Sequence, residues 1–324
     1  MFTLNPHKVY LSNFDEVKKN VSSISLENLR EKKQTNTLLE STKRKLKNAF
    51  DWMLYLSNKK EIYVKSSKKR FWHNASFITL TLPSKQEHKD TEIKALLNQF
   101  FTEFQKYKLL SNYIWKAERQ ENGNIHFHIV TDSYVPYFWL LKVWNRNLNR
   151  LKYIDNYSKK MLRMCTSYDN YLKYTGRKDT ETSKKLYEKS KKMCFRNAPT
   201  VNVKNIILKK GLKEYLEKYI GKDEDKDEVI KGKRVGISRK LSQVAEVHKM
   251  IRDKKDDVYF FLLNCKYKRV MKLDYGYLYL RNRILDLFPK TLKSLIFEAI
   301  ELCIKYESAK NLNDLELKYS TLSH

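Results

Sequence analysis

Glycine and proline are scarce in this 324-residue chain, with 7 and 5 copies. That excludes collagen-like and Pro/Gly-rich low-complexity classes. Cysteine is sparse as well. Cys165, Cys194, Cys265 and Cys303 form no CxxC pair and no Cys-His grouping at zinc-ribbon spacing, so buried, reduced thiols are the simplest expectation. No run of about 18 apolar residues occurs, which argues against a membrane-spanning helix. The opening Met1-Phe2-Thr3-Leu4-Asn5-Pro6 lacks the apolar core of a secretion signal. A GxxxxGK loop followed by Ser or Thr is missing too, so no fused ATP-driven helicase is expected. Together these absences suggest a cytoplasmic protein without membrane association.

Positive charge is what the chain has in excess. Lys and Arg number 66 against 37 Asp and Glu, a formal net charge of +29. Such a chain repels itself unless a polyanion neutralises it, which favours phosphate-backbone binding with salt-sensitive affinity. A Lys-rich coding bias or a basic membrane-surface protein would give the same total, so charge narrows the field without deciding it.

Pattern divides the chain into three regions. Residues 1–70 are polar, with Leu38, Leu39, Leu46, Phe50 and Leu54 at helical spacing between about Glu27 and Asn58. This predicts a basic helical N-terminal extension, packed on the body or facing DNA. Residues 71–240 form the middle region. It opens with the alternating strand Ser76–Leu82, followed by a helix over Asp90–Tyr107 with Ile93, Leu96, Leu97, Phe100 and Phe104 on one stripe. Strands at Tyr113–Glu118 and Asn124–Val130 flank Asn122-Gly123, a hairpin signal. A helix can begin at Pro136. Residues 155–196, dense in Lys, Tyr and Ser, read as a partly helical, mobile insertion. A short strand at Thr200–Lys204, a helix at Lys209–Lys222 and a charged loop at Asp223–Lys233 follow. Residues 241–324 read as a C-terminal extension: a helix near Leu241–Arg252, strands at Val258–Cys265 and Tyr267–Leu273, and a helix at Leu292–Tyr306.

The most specific chemical feature is His126-Phe127-His128. On a strand, alternate side chains share a face, so both imidazoles point one way and Phe127 points to the core. Two neutral imidazoles so placed can bind one divalent metal. A third ligand is expected from the hairpin partner. A three-residue turn at Glu121-Asn122-Gly123, with Gly123 left-handed, pairs Glu118 with His126 and puts the carboxylate on the histidine face. A two-residue Asn-Gly turn would pair Glu118 with Phe127 and bury a carboxylate, so the first register is preferred.

Tyr215 and Tyr219 form the second constellation. They lie four apart, on one helix face, and each is followed three residues later by a lysine, Lys218 and Lys222. A tyrosine can attack a phosphodiester to give a covalent phosphotyrosine, and an ammonium can stabilise the charge that develops. The chain has 22 tyrosines, and an aromatic stripe at helical spacing also serves simply as a packing face.

In order along the chain, Phe77-Ile78-Thr79-Leu80-Thr81-Leu82, then Gly123-Asn124-Ile125-His126-Phe127-His128, then Tyr215-Leu216-Glu217-Lys218-Tyr219 resembles the three motifs of HUH endonucleases that initiate rolling-circle replication. The two-tyrosine form is similar to the gene A proteins of small single-stranded DNA phages and to some plasmid initiators. Gly232-Lys233-Arg234-Val235-Gly236-Ile237-Ser238-Arg239 is similar to a segment found after the tyrosine motif. The resemblance covers about 71–240. It implies an α+β fold, with a central antiparallel sheet of about five strands, the histidines on a central strand and the tyrosine helix across it. It also implies origin nicking through a 5′-phosphotyrosine at Tyr215 or Tyr219, leaving a 3′-OH for a polymerase. Mg2+ or Mn2+ would bind at His126, His128 and Glu118. Lys116, Arg119, Arg234 and Arg239 are the expected DNA-binding cations. The implied partners are single-stranded DNA at an origin, a host helicase and a DNA polymerase.

Transposases of the HUH class are one rival, although they usually carry one tyrosine. Conjugative relaxases place the tyrosine before the histidines, the reverse of the order here. A non-catalytic single-strand binder that stacks bases on Tyr113, Trp115 and Phe127 is another rival. It leaves the histidine pair unexplained.

Overall fold

Period-two alternation builds the central sheet. The computed structural model describes residues 2–12, 38–57, 60–64, 68–106, 110, 112–206, 230–245, 247, 254–265, 269–273, 276–280 and 283–305. In it β5 (Ala75–Leu80), β6 (Tyr113–Arg119), β7 (Ile125–Thr131), β8 (Val201–Ile206) and β9 (Val235–Ile237) form one five-stranded antiparallel sheet, in the order β8-β5-β7-β6-β9. The histidine strand β7 therefore sits in the middle. Helices flank this sheet, so the α+β class and the HUH-like arrangement read from the sequence hold.

Each strand sends alternate residues to two different cores. Ile78, Leu80, Trp115, Ala117, Phe127 and Ile129 share one face, where α2 (Asp90–Lys106) and α3 (Tyr137–Leu148) cover them with Ile93, Leu97, Phe100, Leu140 and Trp144. Phe127 is completely buried and meets Trp144 edge to face, with ring centroids 6.1 Å apart. Such pairs add about 0.5–1.5 kcal/mol beyond the area they bury. On the opposite face Phe77, Ile114 and Val130 join a second core with α1 (Glu40–Leu56), α7 (Arg239–Val244) and α9 (Lys290–Lys305). That apolar cover ends beside Thr79, Lys116, Glu118, His126 and His128, which alternate onto the same face.

The ends of the chain differ from the sequence expectation. Residues 1–70 are not only helical: β1 (Phe2–Asn5) and β2 (Lys8–Ser12) are strands, and β3 (Lys60–Val64) pairs with β4 (Lys69–His73) as a hairpin. β2 hydrogen-bonds to β11 (Gly276–Leu280), which pairs with β10 (Arg269–Leu273), so the first and last regions share a sheet and a core. The strand expected at Val258–Cys265 is instead a helix, α8 (Lys255–Asn264), that buries Val258 and Leu262 four residues apart. A short continuous apolar run reads equally as strand or helix, and burial at helical spacing decides it. Residues 155–196 are well-formed helices: α4 (Tyr153–Met164), α5 (Tyr168–Thr175) and α6 (Glu181–Lys192) close on a small core of Met161, Cys165, Tyr171, Tyr187 and Phe195. The expected helix at Lys209–Lys222 and most of the Asp223–Lys233 loop lie outside the described residues.

Candidate metal centre

The β6–β7 turn sets the site. Gln120 N–H donates to Asn124 O, Gly123 N–H donates to Gln120 O, and Gly123 has φ +80°, the left-handed region where glycine costs least. The loop therefore spans 121–123, and Glu118 stands opposite His126. Arg119 braces the turn: its guanidinium donates to Gly123 O at 3.2 Å and pairs with Asp90 at 2.7 Å. One residue less in the loop would turn Glu118 into the helix-covered core.

Glu118, His126 and His128 converge as this register requires. Glu118 Oε2 lies 3.1 Å from His128 Nε2 and 3.5 Å from His126 Nε2. The ligand atoms of the three residues all fall within 4.8 Å of one another. Neighbouring ligands of an ion held at about 2.1 Å in octahedral geometry stand about 3 Å apart, so the cluster fits one divalent cation after small adjustments. The donor set, two imidazoles and a carboxylate, suits Mn2+ and tolerates Mg2+. His128 Nδ1 bonds Thr79 Oγ1 at 3.1 Å, which leaves Nε2 for the cluster, and the His128 ring stacks on Phe77. Buried His126 Nδ1 makes no hydrogen bond among the described residues.

Electrostatics prepare these groups as ligands. Burial pushes the Glu118 carboxyl up, but hydrogen bonds from His126 and His128 and the Lys116 ammonium outweigh it and hold the acid well below the usual carboxylate range. Burial holds His128 below the ordinary histidine value, against the pull of Glu118. A carboxylate and a neutral imidazole are the metal-binding forms.

The four cations expected on DNA divide into different roles. Lys116 is buried and pairs with Glu118 at 2.9 Å, so it belongs to the cluster. Arg119 is held inside the protein by Asp90, which also accepts from Lys231 N–H at 3.0 Å. Arg234 is buried, and its carbonyl accepts from Ala117 N–H at the β9 edge. Arg239, the first residue of α7, is exposed. The stacking residues of the binder model, Tyr113, Trp115 and Phe127, are buried under the helices, which closes that route to bases. Tyr215, Lys218, Tyr219 and Lys222 lie outside the described residues. Thr79 and Asp90 escaped the sequence reading, because their roles depend on cross-strand and helix pairings that no local pattern displays.

No curated protein and no solved structure matches the chain. Residues 75–224 match the family model of the replication-associated protein ORF2/gene 2 protein, and the matched segment starts with β5 and contains both histidine-hairpin strands. This match over residues 75–224 supports a rolling-circle replication initiator.

Proposed function

We propose that the chain nicks and rejoins single-stranded DNA at a replication origin through a covalent 5′-phosphotyrosine. The observation that carries the reading is the Glu118–His126–His128 cluster on the central hairpin of the family-matched region. His126, His128 and Glu118 would hold Mn2+ or Mg2+, which when bound polarises the scissile phosphate as a Lewis acid.

Thr79 fixes the His128 ring, and Lys116 keeps Glu118 ionised. The phenolic oxygen of Tyr215 or Tyr219 gives up its proton and attacks phosphorus. The P–O3′ bond breaks, and the departing oxygen takes a proton to become a 3′-OH. Lys218 and Lys222 supply positive charge for the phosphate or phenolate. The phosphotyrosine keeps the energy of the broken bond, so a 3′-OH can later attack it, reform the DNA and release the tyrosine. A second tyrosine lets a new cut be made while the first still holds a 5′ end. A host helicase would unwind the duplex, and a DNA polymerase would extend the 3′-OH.

The test is cleavage of a labelled single-stranded origin oligonucleotide by the full chain with Mn2+. Wild type is expected to yield a 3′-OH product and a protein-linked 5′ fragment. EDTA and His126→Ala/His128→Ala are each expected to abolish both. Cleavage that persists in EDTA and in the double variant would refute the metal centre.

A further inference from the structure

The outer surface of α3 is unusual for a helix packed on a sheet. Such a helix ordinarily shows scattered polar side chains to water. Here it shows Tyr137, Phe138 and Trp139, which are 47%, 57% and 49% exposed. Phe138, Lys142, Arg146 and Arg150 follow at intervals of four, so they form one stripe along α3 and the turn after it. The insertion helices α4–α6 face that stripe across a groove of about 1260 Å3. Small-molecule sites usually span about 300–1,000 Å3.

Cations stand on both walls of the groove. Lys142, Arg146 and Arg150 come from the α3 side, and Arg177, Lys189 and Arg196 from the insertion. Among the described residues no Asp or Glu lines it. Arg146 and Arg196 are partly committed to Glu103 and Asp155. Lys142, Arg150, Arg177 and Lys189 carry exposed charge. The rings of Tyr137 and Phe138 are exposed beside these cations, and Tyr157 lies half-buried farther along.

Facing cations with no intervening carboxylate call for a polyanion. Exposed rings beside them call for one whose bases are free to stack, which is a single strand rather than a closed duplex. The stripe from Phe138 to Arg150 runs about 18 Å at 1.5 Å per residue, the reach of about five phosphates at 3.4 Å spacing. The groove belongs to the layer behind the metal centre, because α3 packs on Phe127 while His126 and His128 point the other way. We propose that this groove is a second, sequence-tolerant site for single-stranded DNA, separate from the metal centre. The inference rests on the DNA-processing reading above, and it gives the insertion at 155–196 a role: it supplies one wall.

The test is fluorescence anisotropy of the full chain with labelled oligo(dT) of about 20 nucleotides, a length suited to single-strand site sizes, over a salt series. Lys142→Glu/Lys189→Glu is expected to bind at least 10-fold more weakly than wild type, with a salt slope shallower by about 1.4, since each lost phosphate contact removes about 0.7. Phe138→Ala, on an exposed side chain, is expected to cost about 5- to 100-fold through lost stacking. Duplex of the same length is expected to compete poorly. Groove variants that bind oligo(dT) like wild type overturn the groove, even if origin cleavage proceeds as proposed. Duplex that competes equally overturns the single-strand assignment. Failure of the wild type to bind any single strand overturns both this inference and the reading beneath it.

Discussion

Glu118 faces His126 directly across the β6–β7 hairpin, and its Oε2 lies 3.1 Å from Nε2 of His128, two residues farther along the same strand. A single carboxylate therefore joins both imidazoles, and a turn of three residues holds it there.

Removing that carboxylate should weaken metal binding without unfolding the protein. Glu118→Gln keeps the size and loses the charge. It is expected to lower Mn2+ affinity by more than the roughly 10–100-fold that an outer-shell change costs. Isothermal titration with Mn2+ reads this, and unchanged affinity would exclude Glu118 as a ligand.

Thr79→Val tests the orientation of His128. The variant keeps the branched shape but loses the 3.1 Å bond to Nδ1. Mn2+ affinity is expected to fall about 10–100-fold, while the melting temperature stays near that of wild type. A loss of stability with intact metal binding would make Thr79 a packing residue only.

Gly236 lies against the indole of Trp115. A Cβ there would come within 2.2 Å of Trp115 Nε1, so the glycine is needed for β9 to lie against β6. Gly236→Ala is expected to destabilise by about 1–3 kcal/mol, the usual range for overpacking. Denaturant unfolding checks it, and a neutral result would mean that β9 shifts without cost.

Phe127 anchors the back of the histidine strand. Phe127→Ala is expected to cost about 3–5 kcal/mol and to weaken Mn2+ binding with it, because the strand that carries both ligands loses its seat on Trp144. Full stability in chemical denaturation would contradict the packing account.

Lys94 supplies a pH test of the fold. Partial burial lowers its pKa from 10.5 to about 8, against the attraction of Asp90, and its ammonium donates to Lys231 O. Between pH 8 and 10.5 the unfolded chain keeps the Lys94 proton while the folded chain has released it. Stability therefore rises with pH across this window, relative to a variant that cannot titrate there. Melting temperatures of wild type and Lys94→Met at about pH 7 and about pH 10 should show wild type gaining on the variant. A constant difference would mean that Lys94 titrates alike in both states.

The hairpin was legible because its determinants are local. Asn122-Gly123 marks the turn, and the cost of burying Glu118 selects the register. The strand at Ser76–Leu82 and the helix stripe from Ile93 to Phe104 were equally plain, since each follows a single period. The strands at Phe2–Asn5 and Lys8–Ser12 were not, because they are short and one partner, β11, lies at the other end of the chain. Tyr259-Phe260-Phe261 invited a strand, and only the burial of Val258 and Leu262 makes it a helix. The insertion hid its core because that core is largely tyrosine and phenylalanine set among lysines. Charge pointed to DNA for Lys116, Arg119 and Arg234, whereas their burial turns them inward.

The most direct test of the account is the identity of the residue that carries DNA after cleavage. The full chain, incubated with a single-stranded origin oligonucleotide and Mn2+, is digested with protease and nuclease, and the nucleotide-bearing peptide is sequenced by mass spectrometry. The account predicts a phosphotyrosyl adduct on Tyr215 or Tyr219, lost in Tyr215→Phe/Tyr219→Phe and in His126→Ala/His128→Ala. An adduct on any other residue, or cleavage with no adduct at all, would contradict it.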